Sequence, residues 1–318
     1  VDRPGGEPSR DPEIAMSALA LLARPTLAVL FSLAAAGANA QQDFSKVEIK
    51  SEKLAEGLYM LTGSGGNLGL CVGEDAVFLV DDQYAPLTPK IQAAIAALTP
   101  KPVKFVLNTH WHGDHVGGNE NFGQAGALIV AHHNVRRRMN SGQFVEFTRA
   151  TVKPSPKGAL PVVTFDSETT FHINGGEVRA FHVPRAHTDG DAIVHFVSAD
   201  AIHLGDVYWN GLYPFIDTSS GGSVDGTIAA VDRVLAMATE RTKIIPGHGP
   251  LATRADLKEY RDLLATVSGR VKSLIREGKK LEGIVAMPLT SEYDAKWGVR
   301  WIKGPKFVEM IALNYLKD

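Results

Sequence analysis

The 318-residue chain is 44% hydrophobic and 21% charged, enough apolar content for a sizeable core and too much for a disordered polymer. Its formal net charge of −2 leaves no electrostatic footprint for nucleic acid, and Arg136-Arg137-Arg138 reads as the exposed side of a helix, not a phosphate groove. Cys71 is the one cysteine, which excludes an intramolecular disulfide; its setting, Leu68-Gly69-Leu70-Cys71-Val72, predicts a buried strand.

Residues 1–15 are polar and rich in Pro and Gly, and are expected to be an upstream extension ahead of a start at Met16. From there Arg24, an apolar run from Leu27 to Ala36 and the small-x-small site Ala38-Asn39-Ala40 make residues 16–40 a secretory signal peptide. The apolar run is short for a membrane span, so no stable anchor is expected after cleavage, and a periplasmic or secreted protein is. One domain with a helix-rich tail is expected over 41–318.

Strand patterns follow at Gly57 to Leu61, Asn67 to Val72, Ala76 to Val80, Val103 to Leu107 and Ala127 to Val130, with a helix from Thr88-Pro89 to about Leu98. A second half predicts strands at Val162 to Phe165, Thr170 to Ile173, Val178 to Val183, Ala192 to Val197, Ala201 to Leu204 and Lys243 to Ile245. Ile228, Val231, Leu235 and Ala238 share one face of a helix from Val224 to Ala238. Another begins at Thr253, with Asp256 three residues on as a capping-box relative, and stops at Gly278. Periodicity alone says only mixed α and β.

The chemistry lies in His110-Trp111-His112-Gly113-Asp114-His115, directly after an apolar strand pattern. His110 and His112, two apart in extended chain, project to one side and can pinch one ion. Gly113 permits a sharp turn that aims Asp114 and His115 at a second ion. Imidazole nitrogens with a few carboxylate oxygens suit zinc best, while iron or manganese would accept the same set. Three later strands end in the same way, on His187, on Asp206 and on His248.

With an early aspartate, H-x-H-x-D-H, a later histidine, an aspartate and a last histidine in order over residues 76–250, the chain resembles the metallo-β-lactamase fold superfamily. The resemblance implies an α+β, four-layer αββα sandwich. It also implies two zinc ions per chain, one held by His110, His112 and His187 and the other by Asp114, His115 and His248. Asp206 stands where some β-lactamases carry a cysteine ligand and glyoxalase II carries an aspartate bridging both metals. Asp81 matches the early aspartate, which supports the ligands from behind. A closed structural zinc site uses four ligands, whereas this set of seven on two ions leaves open positions for catalysis.

Two zinc ions sharing a water would give a hydroxide nucleophile, oriented by Asp114, for an amide or ester carbonyl of a small-molecule substrate. The function expected is an exported, β-lactamase-like hydrolase. The alternative is a lactonase or thioesterase of glyoxalase II type, favoured by Asp206, and behind it stands an iron-dependent oxidoreductase of the same fold. Around the metals, Tyr208, Trp209, Asn210 and Tyr213 either line the pocket or pack. Trp209 occupies the place of a lysine that receives the substrate carboxylate in cysteine-ligand lactamases; an anionic substrate would need another anchor, for which Arg185 is the candidate. Gly63-Ser64-Gly65-Gly66-Asn67 reads either as a flap over the metals, with Asn67 among the pocket residues, or as a plain hairpin turn. His132, His133, His172, His182, His195 and His203 are read as structural or exposed, and the oligomeric state stays open.

Overall fold

Parallel strands aim their carboxyl ends at one edge of a sheet, and this is what gathers the distant motifs. A computed structural model describes residues 43–317; the upstream extension and signal segment expected over 1–40 lie outside the described residues. The chain from Asp43 onward clusters as one compact unit. Its first sheet begins with β1 (Lys50–Ala55), β2 (Leu58–Thr62), β3 (Leu68–Val72) and β4 (Val77–Val80), an antiparallel run. Helix α1 (Thr88–Ala96) crosses over to β5 (Val103–Asn108), which lies parallel to β4. Short helices α2 (Gly113–Val116) and α3 (Asn119–Gln124) lead to β6 (Leu128–His132), also parallel, and α4 (His133–Ser141) follows. A hairpin of β7 (Gln143–Val145) and β8 (Ala150–Val152) stands apart, and β9 (Val163–Phe165) closes the seven-stranded sheet in the order β1-β2-β3-β4-β5-β6-β9.

The second sheet has five strands in sequence order: β10 (Glu168–Ile173), β11 (Gly176–His182), β12 (Ala192–Phe196), β13 (Ala201–His203) and β14 (Lys243–Ile245). Only β13 and β14 are parallel, joined by α5 (Val224–Met237). Then come α6 (Arg254–Arg276), α7 (Leu281–Val285), α8 (Asp294–Trp297) and α9 (Gly304–Lys317). The Thr253–Asp256 pair forms a reciprocal capping box at the start of α6, satisfying two backbone donors, a device worth about 1 kcal/mol.

Three apolar clusters define the four layers. Met60, Phe78, Val80, Leu107 and Val130 of the first sheet meet Val178, Ala180, Val194 and Phe196 of the second. Leu70, Leu79 and Val106 on the outer face of the first sheet cover Ile91 and Ile95 of α1. Phe181, Ile193, Ile202 and Ile244 on the outer face of the second sheet pack with Val231, Leu264, Val267 and Ile311 of the helices. The αββα sandwich expected from the resemblance is therefore the fold.

Sequence patterning missed β1, whose residues Lys50–Lys53 are all exposed: an edge strand dressed in charge shows no buried alternation. It also missed the β7–β8 hairpin and the short helices. Arg138 departs from the exposed-helix reading, because it turns inward and pairs with Asp189 at 2.6 Å. Cys71 is half-buried near the end of β3, where Asn174 donates to its sulfur at 3.5 Å, so it is not a full core residue. No helix among the described residues is long and apolar enough to cross a membrane.

Candidate metal centre

Seven side chains from five segments converge at the sheet edge. His110 and His112 follow β5, Asp114 and His115 ride on α2, and His187 follows β11; Asp206 comes just after β13 and His248 just after β14. The ligand atoms of His110, His112, His187 and Asp206 lie within 4.8 Å of one another, and so do those of Asp114, His115 and His248. Asp206 joins the groups. Its Oδ2 lies 3.8 Å from His110 Nε2 and 3.7 Å from His187 Nε2, while Oδ1 lies 3.0 Å from His115 Nε2 and 3.3 Å from His248 Nε2. Donors about 2.0–2.1 Å from a tetrahedral zinc are about 3.3–3.4 Å apart, and the distances here, from 3.0 to 3.8 Å, bracket that spacing.

The tautomers decide what these atoms can do. His187 Nδ1 donates to the Phe215 carbonyl at 2.8 Å, which leaves a lone pair on Nε2. His112 Nε2 donates to Asp217 at 3.0 Å, which leaves a lone pair on Nδ1. Those two lone-pair atoms face each other at 2.9 Å. Asp81 takes the Nδ1 proton of His115 at 2.7 Å and the hydroxyl proton of Thr109 at 2.8 Å; the same hydroxyl oxygen accepts from His110 Nδ1 at 3.0 Å. Lone pairs on His110 and His115 therefore also point inward. Buried and without a hydrogen-bond partner are His110 Nε2, His115 Nε2 and Asp206 Oδ1, a costly arrangement that cations relieve. The residues present thus fit a dinuclear metal site.

Charge runs the same way. Burial acts most strongly on Asp114 and would raise its carboxyl, but His115 and His248 bring it down to about 2. Burial likewise presses His248 toward neutrality, yet Asp206 and Asp114 carry it up to about 9. His187 is held at about 4, chiefly by burial, which keeps its imidazole neutral as a ligand must be. Around Asp206 the histidines His248, His115 and His110 overcome burial and hold the carboxylate ionised.

Asp81 has the supporting place expected of it, in a left-handed backbone conformation at φ 60° that is strained for a non-glycine residue. The loop Gly63–Asn67 is neither an open flap nor a bare turn. Gln83 Nε2 donates to the Gly66 carbonyl at 2.6 Å, and Asn67 Nδ2 donates to the carbonyls of Pro246 and Gly249, each at 2.9 Å. A Cβ on Gly66 would stand 2.1 Å from the His115 ring, so this glycine provides close approach. Asn67 accordingly fastens the His248 loop to the first sheet.

The other pocket candidates divide. Tyr208 is fully buried against Tyr260, and Tyr213 stacks on Phe307 while donating to Asp294 at 2.8 Å; both are packing residues. Asn210 donates its backbone N–H to His248 and its side chain to Pro250, fixing a loop. The exposed Arg185 accepts at its backbone carbonyl from the Ser223 hydroxyl at 2.8 Å, at the start of α5. Trp209 meets the centre through its side chain, its ring 4.1 Å from that of His248.

Sequence reasoning missed Asp217, Thr109, Gln83 and Phe215. Asp217 had a signal: it precedes Thr218-Ser219-Ser220, and Ser220 bonds it through both backbone N–H and hydroxyl in a capping turn. Those donors and His112 hold its carboxylate ionised in spite of burial. Phe215, stacked 5.7 Å from His112, reads from sequence as an ordinary core aromatic. Of the histidines outside the motifs, His203 bridges the Asn67 carbonyl and the Gly205 N–H, and His132 stacks on His182 at 3.8 Å.

Comparison with known proteins agrees with this geometry. The chain is 21% identical over 249 residues to a Caenorhabditis elegans protein described as a beta-lactamase-like protein 2 homolog, covering 76% of this chain and 75% of that one. It is 27% identical over 144 residues to a hydroxyacylglutathione hydrolase of Nitrosococcus oceani, covering 45% and 47%, so it matches about half of that relative's length. Solved structures share the fold. A metallo-beta-lactamase from Pontibacter korlensis superposes with a TM-score of 0.57 at 19% identity, over 69% of this chain and 99% of that one. The sec-alkylsulfatase Pisa1 from Pseudomonas sp. superposes with 0.63 at 18%, over 84% and 50%. The model of the metallo-beta-lactamase superfamily matches residues 61–248, which span all seven ligands, and the chain belongs to that superfamily.

Proposed function

We propose that this protein is an exported dinuclear zinc hydrolase acting on the carbonyl of a small ester, thioester or amide. The observation that carries this reading is the carboxylate of Asp206, one oxygen toward each group of ligands, among His110, His112, His115 and His187, whose lone pairs face inward. When bound, a metal pair supplies a water of near-neutral pKa and polarises the carbonyl. The chain does the rest. Asp114, ionised and partly exposed beside His248, is placed to accept a proton from the attacking water and return it to the leaving group. Asp81 and Asp217 fix the tautomers of His110, His115 and His112, so no ligand reorganises during the reaction.

Asp206 in place of a cysteine, with Trp209 in place of a lysine, supports the ester and thioester side. Opening of a β-lactam ring is the second reading, supported by the expected signal segment, which would place the enzyme where such compounds are met. A direct test assays the chain from Gln41 on a chromogenic cephalosporin, a lactone and a thioester, with metal content determined on the same sample. Turnover of any of them, abolished by a chelator and restored by zinc, is the expected result. Preparations inert toward all three with two zinc ions bound would overturn the hydrolase reading; activity restored by iron alone would move it to oxidoreductases.

A further inference from the structure

An aromatic wall links the two groups of metal ligands, and part of it comes from the far end of the chain. Phe215 stacks 5.7 Å from His112 and meets His187 edge-on at 5.6 Å. Phe147, from the turn between β7 and β8, lies 5.0 Å from Phe215. Trp301, between α8 and α9, stands 5.4 Å from Phe147, 6.0 Å from Phe215 and 6.3 Å from Trp209, which itself rests on His248. A continuous line of rings thus runs from one side of the centre to the other.

Trp301 is 55% exposed, although its neighbours are anchored: Ile302 is buried and the Lys303 ammonium donates to the Gly298 carbonyl at 2.7 Å. A large indole held open to solvent beside a metal centre leaves apolar area that an occupant would cover. Beyond it Phe147 and Phe215 line a cleft of about 350 Å³ that reaches Met310 and Leu313 of α9. That volume accommodates a chain of several carbons or one ring, and its lining includes Asp217, the hydrogen-bond partner of the ligand His112. Lys306, 4.9 Å above the Phe147 ring, is paired with Glu309 at 2.7 Å, so its charge is already answered.

We propose that Trp301, Phe147 and Phe215 form the binding wall for an apolar group of the substrate, an alkyl chain of several carbons or an aryl ring, and that Trp301 determines specificity for it. This deepens the hydrolase reading and rests on it for the identity of the scissile bond. The apolar group is held by the wall while the carbonyl lies over the ligands, so a longer group raises kcat/KM by area buried and not by chemistry.

The test uses the zinc-reconstituted chain and two thioester series, S-methyl thioesters lengthened from acetyl to octanoyl and thioacetates lengthened from S-methyl to S-octyl, with S-methyl phenylthioacetate as the aryl arm. In one series kcat/KM should rise about two- to fourfold per methylene over the first several carbons. Trp301→Ala should flatten that slope, lowering kcat/KM for the longest substrate far more than for the shortest, and Trp301→Phe should restore most of it. Efficiency independent of length in both series, or a slope indifferent to Trp301→Ala, would overturn the wall. Should no thioester be turned over, calorimetric binding of acetate through octanoate decides separately. Tighter binding of longer acids that depends on Trp301 keeps the wall while the thioester reading falls; equal binding overturns the wall.

Discussion

Asp81 Oδ2 sits 2.7 Å from His115 Nδ1 and, through the Thr109 hydroxyl, also commands His110, so one carboxylate orients a ligand in each half of the centre. Asp217 commands only His112. Replacing Asp81 by Ala should therefore weaken both metals, by about 10–100-fold each, while Asp217→Ala weakens the first alone. Competition with a chromophoric chelator, which resolves two binding steps, checks this; equal loss from both sites in Asp217→Ala would contradict the assignment.

Asp206 and Asp114 should separate binding from rate. Asp206→Ala removes an oxygen from each half and leaves His110 and His115 facing a buried gap, so the expected outcome is loss of both metals. Asp114→Asn keeps the shape but not the base, and should lower kcat about 100- to 10,000-fold with metal content near two per chain. Metal analysis and kcat on the same preparations decide, and an Asp114→Asn enzyme of normal rate would remove its proposed role.

Tyr208 gives a test of packing against recognition. Its hydroxyl is buried without a partner against Tyr260, so Tyr208→Phe should leave KM unchanged and hold or raise stability by about 1 kcal/mol. Urea denaturation followed by fluorescence, beside steady-state kinetics, gives both numbers. A higher KM in this variant would return Tyr208 to the substrate pocket.

His132 predicts the acid limb of stability. Burial first, then the neighbouring His182 and His133, lower its pKa to about 4 in the folded chain, below the 6.5 of a free imidazole. Between those values the unfolded chain binds the additional proton, so stability is full above pH 6.5 and falls as pH drops toward 4. Thermal unfolding with a chelator present should show a shallower fall in His132→Gln over that window. Identical slopes would exclude His132 as a source.

Much of the centre was legible in the chain because metal ligation demands particular donor atoms at short spacing. His110, His112, Asp114 and His115 lie in six residues, and no common core pattern produces such a run. His187, Asp206 and His248 were recoverable because each ends an apolar strand, and parallel strands present their carboxyl ends together. The apolar runs of β3, β4, β12 and β13 were readable for the same reason that they fold: these central strands are covered on both faces, so they carry near-continuous hydrophobic sequence.

Tertiary structure alone decided which polar and aromatic residues serve those ligands. Asp217 and Phe215 are 105 and 103 residues from His112 along the chain, and Trp301 lies farther still, so nothing local relates them to it. Asn67 and Tyr208 resemble pocket residues by position, yet packing turns one into a loop clasp and the other into core. A ligand announces itself by its chemistry, which is written in one residue. A supporting or recognising residue acts through distance and angle to another side chain, and those exist only once the sheets have closed on each other.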